Sequence, residues 1–148
     1  MPRMYTEINI YAPAERIWNI LTDFESYPHW NRHILKLEGE PRLAERLTMT
    51  VRTSDGKEMC FKPRVTSCDT HKELRMQERL LIPGLFDGTW LFRIEPLGED
   101  GVRFMHVQTY SGILSPLFAK ELHNGISPGM RGMNFFLKRL AEGKRGGG

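Results

Sequence analysis

The fold is decided by two stretches, residues 89–110, TWLFRIEPLGEDGVRFMHVQTY, and residues 115–140, SPLFAKELHNGISPGMRGMNFFLKRL. In the first, Trp90, Phe92 and Ile94 alternate with Leu91, Arg93 and Glu95, the period of a strand with one buried face. Gly98 to Gly101 makes a turn, and Val102 to Tyr110 reads as the return strand. Phe104, His106, Gln108 and Tyr110 share one face of it. Met105 and Val107 share the other, so hydrophobicity alone does not orient this strand. The period then changes. Ser115-Pro116 opens a helix, and Leu117, Phe118, Leu122, Ile126, Met130, Met133, Leu137 and Leu140 recur every three or four residues. That predicts one long amphipathic helix of roughly 25 residues, bent or interrupted at Pro128-Gly129.

Working back from this stretch, the chain alternates repeatedly. Leu74 and Met76 continue an inward face, with a turn at Asp69-Thr70-His71-Lys72 before them and another at Pro83-Gly84 after. Met59, Phe61 and Val65 share a face, and Pro63 implies an edge or a bulge. Leu47, Met49 and Val51 form the partner strand across Asp55-Gly56, a pair suited to a tight hairpin turn. Before them, Met4 to Tyr11 alternates as a first strand. Pro13 and Glu15 mark a helix start, and Ile17, Trp18 and Leu21 follow on one stripe with Ala14. Asp23 can cap a second short turn carrying Phe24 and Tyr27, which Pro28 ends. The order is strand, two short helices, about six antiparallel strands and one long helix. A curved sheet covered by a single helix leaves unfilled space between them, so the pattern predicts a pocket.

Composition limits the remaining possibilities. The 148 residues are 40% hydrophobic and 26% charged, with a net charge of +3, and fit a single domain over 1–142 with a flexible Gly/basic tail at 143–148. No apolar run approaches the ~20 residues of a membrane span, and no signal peptide is legible, which points to the cytoplasm. The basic excess near Lys138, Arg139, Lys144 and Arg145 lacks interleaved aromatics, so no nucleic acid is expected as a partner. If Cys60 and Cys68 lie on one strand they stand ~26 Å apart and cannot pair unless that strand breaks, and a reduced compartment accounts for them. His29 and His33 are four apart but lack a third ligand, so no metal is expected. No phosphate loop or nucleophile elbow is present, and no cofactor is implied.

Several signatures run in order along the chain: Ala12-Pro13-Ala14-Glu15-Arg16-Ile17-Trp18, Leu21-Thr22-Asp23-Phe24, Tyr27-Pro28-His29-Trp30-Asn31, Pro83-Gly84-Leu85-Phe86-Asp87-Gly88, Ser111-Gly112-Ile113-Leu114, and Met133-Asn134 with Leu137-Lys138. Together they resemble the START-like superfamily and its polyketide cyclase/dehydrase-like branch. The resemblance implies an α+β helix-grip fold, a curved antiparallel sheet of six to seven strands wrapped around one long C-terminal helix, with two short helices after the first strand. It implies a cavity for a lipid, polyketide or similar hydrophobic molecule, used catalytically in some members only. The chain departs from its relatives at Met76, Glu78, Trp90 and Gln108, all on the inward face.

The candidate site follows from that face. Trp30, Phe61, Met76, Trp90, Phe92 and Met130 are the predicted apolar lining, with Glu78, His106, Gln108 and Asn134 as polar ligand contacts. Glu78, His106 and Tyr110 are candidates for acid/base chemistry of a cyclase or dehydratase. The alternative for the polar set is an internal network that never touches ligand. Leu85 and Phe86, between glycines, are a candidate lid, equally a turn packed as core on the long helix, with transient membrane contact or a protein-interaction role as further readings.

Overall fold

The computed structural model describes residues 3–53, 56–79, 87–112 and 126–143. The first strand, β1 (Arg3–Ile10), buries Met4, Thr6 and Ile10 and exposes the residues between them, apart from half-buried Ile8. Pro13 ends it, and its carbonyl accepts the N–H groups of Arg16 at 3.0 Å and Ile17 at 3.3 Å. Helix α1 (Ala14–Thr22) starts there and buries Ile17, Trp18 and Leu21. A 3-10 turn (Phe24–Ser26) and a single helical turn, α2 (Tyr27–Trp30), follow. Asp23 precedes them but makes no side-chain capping bond. What fixes the turn instead is Tyr27, whose hydroxyl donates to the Leu21 carbonyl at 2.6 Å.

Eight strands are described, against the six to seven expected. The remaining seven are β2 (Ile34–Glu38), β3 (Thr48–Arg52), β4 (Glu58–Phe61), β5 (Arg64–Asp69), β6 (Glu73–Arg79), β7 (Asp87–Pro96) and β8 (Val102–Ser111). All pair antiparallel, in a five-stranded sheet of order β1-β8-β7-β6-β5 and a three-stranded sheet of order β2-β3-β4. The extra strand arises at Pro63. Proline has no N–H for the ladder, so the predicted strand through Met59 and Val65 divides into β4 and β5. The break still carries bonds: Leu47 N–H donates to the Pro63 carbonyl at 2.7 Å, and Arg46 bridges Arg64. The sheet does not close.

The turns behave as their residues dictate. Gly98 takes φ +120° in the β7–β8 turn, and His71 is held at φ +67° in the β5–β6 turn. Gly56 takes φ +95°, while its hairpin partner Asp55 lies outside the described residues.

The C-terminal helix, α3 (Ser127–Glu142), carries Pro128 in its first described turn, and Ile126 before it is already in helical conformation. The start expected at Ser115-Pro116 and the stripe through Leu122 lie outside the described residues, as does residue 144 onward. Met130, Met133, Asn134, Leu137 and Ala141 are buried, whereas Leu140 is 44% exposed, so Ala141 and not Leu140 closes the stripe. The far end is tied down by Arg16, which donates to the Ala141 carbonyl at 2.9 Å, and by Lys138, which donates to the Asn9 carbonyl at 2.6 Å. Among the described residues no helix is long and apolar enough to cross a membrane.

Candidate functional site

β8 carries the polar residues onto the concave face. Phe104, His106, Gln108 and Tyr110 are fully buried there. Met105 and Val107, on the opposite face, are only 8% and 6% exposed, so burial on both sides is what left the strand unoriented in sequence. Register sets His106 beside Thr6 on β1 and Phe92 on β7, and sets Gln108 beside Met4 and Trp90.

These side chains form one chain of hydrogen bonds with fixed ends. Thr6 donates its hydroxyl to the His106 carbonyl at 3.1 Å and accepts from Asn134 Nδ2 at 2.8 Å. Asn134 Oδ1 therefore faces His106 Nδ1, at 3.0 Å. At the other end His33 Nδ1 faces the Arg52 carbonyl, also at 3.0 Å. A carbonyl can only accept, so both rings carry their proton on Nδ1. Both Nε2 atoms are then acceptors, and both meet Gln108 Nε2, His33 at 2.9 Å and His106 at 3.3 Å. One amide group supplies two donors, as many as it has. Gln108 Oε1 accepts the Tyr110 hydroxyl at 2.7 Å.

The protons are thereby assigned by connectivity. Burial agrees, because an imidazolium here would lose its hydration. Desolvation lowers the His33 pKa to about 4. Desolvation, and next the neighbouring His33, lowers His106 to about 3 against the opposing Asn134 bond. The Tyr110 hydroxyl is pushed up by burial. Neither histidine has a ring nitrogen left over to exchange a proton with a bound molecule.

Of the predicted polar contacts, His106, Gln108 and Asn134 meet, together with Tyr110. Glu78 does not join them. Its Oε1 accepts the Lys62 backbone N–H at 2.8 Å, across the break at Pro63. Two members of the chain escaped the sequence reading. Thr6 was legible only as the polar residue on an otherwise apolar strand face. His33 follows a helical turn in a stretch with no period, and it points inward because Asn31 Oδ1 accepts its N–H at 2.9 Å and that of Ile34 at 2.8 Å.

The apolar lining assembles beside this chain. Met76, Trp90, Phe92 and Met130 are fully buried. The Phe61 ring centroid lies 4.9 Å from that of Trp90, and Tyr110 meets Trp90 edge-on at 5.8 Å. Phe92 meets His106 edge-on at 4.9 Å. Trp30 differs. Its ring packs on Tyr27, and it lines surface grooves with His29 and Leu140 near the end of α3, the larger about 1160 Å³. The candidate lid, Leu85 and Phe86, lies outside the described residues. Among those described, no three His, Cys, Asp or Glu side chains are placed to hold a metal.

Comparison with known proteins follows the same lines. A family model described as polyketide cyclase / dehydrase and lipid transport matches residues 1–142. No curated protein matches the chain. Among solved structures, the di-domain ARO/CYC StfQ from the steffimycin biosynthetic pathway is similar at TM-score 0.72 and 16% identity, over 97% of this chain and 51% of that one. The chain thus spans about half the length of that protein. A START superfamily protein from Mycobacterium smegmatis is similar at TM-score 0.69 and 21% identity, over 95% of this chain and 97% of that one. Truncated norcoclaurine synthase from Thalictrum flavum is similar at TM-score 0.65 and 15% identity, over 97% and 95%.

Proposed function

The chain belongs to the polyketide cyclase / dehydrase and lipid transport family, and from that premise we propose that it binds and carries a small hydrophobic molecule between the concave face of the five-stranded sheet and α3. One observation supports carriage over catalysis. The buried polar residues are committed to each other, from the Thr6 hydroxyl to the Arg52 carbonyl, and both histidines are neutral with both ring nitrogens engaged. A general acid or base needs a proton position it can give or take at working pH. Acid/base use of His106 would first require Gln108 or Asn134 to let go, at about 1–3 kcal/mol for each buried group left unpaired. Glu78, spent on the Lys62 N–H, is not placed to replace it.

Native mass spectrometry of gently purified protein and titration with an apolar fluorescent dye test this reading. A bound apolar molecule should copurify. The dye should raise Tm with its concentration, by about 2.7 kcal/mol of stability at 100 times Kd. A protein that copurifies with nothing and shows no dye-dependent Tm would overturn it, and turnover of a copurified compound would favour the cyclase/dehydratase reading.

A further inference from the structure

One buried donor on the concave face has no acceptor. Trp90 is fully buried, and its indole Nε1 makes no hydrogen bond. The ring has little freedom to find one. It lies against Phe61 on one side and Tyr110 on another. A Cβ on Gly88 would stand 2.7 Å from its Cη2 atom, so the indole rests directly on the β7 backbone. The Tyr110 hydroxyl donates to Gln108 and keeps lone pairs with which to accept, and it is near enough for the indole N–H to favour its ionised form, yet the two do not meet with hydrogen-bond geometry. Buried N–H groups are seldom left unmade, because desolvation without a partner is costly.

The neighbourhood also limits what can answer this donor. Among the described residues, no Lys or Arg occupies an inward position of β1, β6, β7 or β8. The two histidines at this depth carry no charge, by the connectivity above. A carboxylate brought here would be a buried anion without a counter-charge. A bare hydrocarbon would leave the N–H unpaired.

We propose that the Trp90 indole N–H is the polar anchor of the ligand site, and that the ligand is an apolar molecule bearing a neutral acceptor oxygen, such as a ketone or ester carbonyl. This rests on the carriage reading above and adds to it the chemical class of the ligand. Trp90 then sets orientation, and the Phe61–Trp90–Tyr110 cluster supplies the apolar contact.

Three naphthalenes of similar size separate the possibilities: 2-acetylnaphthalene, 2-ethylnaphthalene and, at pH 8, 2-naphthoate. Wild type should bind the ketone most tightly and the carboxylate most weakly. Trp90→Phe keeps a ring and removes the N–H, so it should weaken the ketone on the order of 10-fold and leave the ethyl compound within about twofold. In wild type the Trp90 indole ¹⁵N–H resonance should move downfield with the ketone and not with the hydrocarbon, a readout that does not depend on the variant folding. Equal losses for ketone and hydrocarbon, an unmoved indole resonance, or tightest binding of the carboxylate overturns the assignment of Trp90. Failure of wild type to bind any of the three overturns the carriage reading itself.

Discussion

Gln108 sets the protonation of its neighbours, because its amide nitrogen gives both of its hydrogens to imidazoles. Folded His33 and His106 therefore bind protons only near pH 4 and pH 3, while the unfolded chain binds them near the ordinary value of ~6.5. The sign follows from linkage. Below pH ~6.5 the unfolded state holds more protons, so the stability these residues contribute is complete above pH ~6.5. It is lost as the pH falls from there toward 4 and then 3. Urea unfolding at pH 7.5, 6.0 and 5.0 should show a progressive decline reaching on the order of 4 kcal/mol at pH 5.0, about 2 kcal/mol from each histidine, well before ordinary carboxylates titrate. Gln108→Glu offers acceptors where donors stood, so one imidazole Nε2 must carry a proton. Imidazole ¹⁵N shifts should show a charged ring at pH 7 in that variant and two neutral Nδ1–H rings in wild type. Neutral rings in both proteins would refute the donor direction argued here. Of the residues involved, His106, Gln108 and Tyr110 were legible from their alternation on β8. The partner of Glu78, the Lys62 N–H, was not legible, because alternation gives a side chain's face but not its partner at a break between neighbouring strands.

Among the elements, α3 shows most directly how packing overrides local preference. Gly129 and Gly132 both lie within it, and alanine is favoured over glycine in a helix by about 1 kcal/mol. A Cβ at Gly132 meets nothing within 4 Å, so Gly132→Ala should stabilise the protein by up to about 1 kcal/mol. At Gly129 it would stand 2.5 Å from His33 Nδ1 and 3.1 Å from Cε1. That ring is held by bonds at both nitrogens and cannot swing away. Gly129→Ala should therefore destabilise by about 1–3 kcal/mol despite its better helix propensity. Chemical denaturation of the two variants decides the matter, and two changes of the same sign would show that the first turn of α3 does not rest on His33. Pro128-Gly129 is expected from sequence to bend or interrupt a longer helix, and the part of that helix before residue 126 lies outside the described residues. Gly129 is where α3 packs against the His33 ring.

At the scale of the whole molecule, stability should divide along the break at Pro63. The five-stranded sheet carries α3 and most of the buried polar chain, whereas β4 in the smaller sheet alternates only between exposed and half-buried residues. Its amides open at less cost, because fewer apolar contacts are lost with them. Hydrogen exchange should thus be slowest in β7 and β8 and at least about 10-fold faster in β4, and equal protection across both sheets would refute the division. Sequence by itself determined the element types, their order, the turns at Gly56, Gly98 and His71, and the inward faces of β6, β7 and the described part of α3. Those follow from period and turn chemistry, which act between residues close in the chain. Only the tertiary structure decided that the strand through Pro63 divides, that Met105 and Val107 are buried behind the sheet, and that His33 completes the chain begun at Thr6. The last two depend on what faces a residue from a distant segment, and the first on whether Pro63 makes a bulge or a full break. The Gln108 amide that joins His33 to His106 leaves no local pattern, because its bond to His33 spans 75 residues of chain.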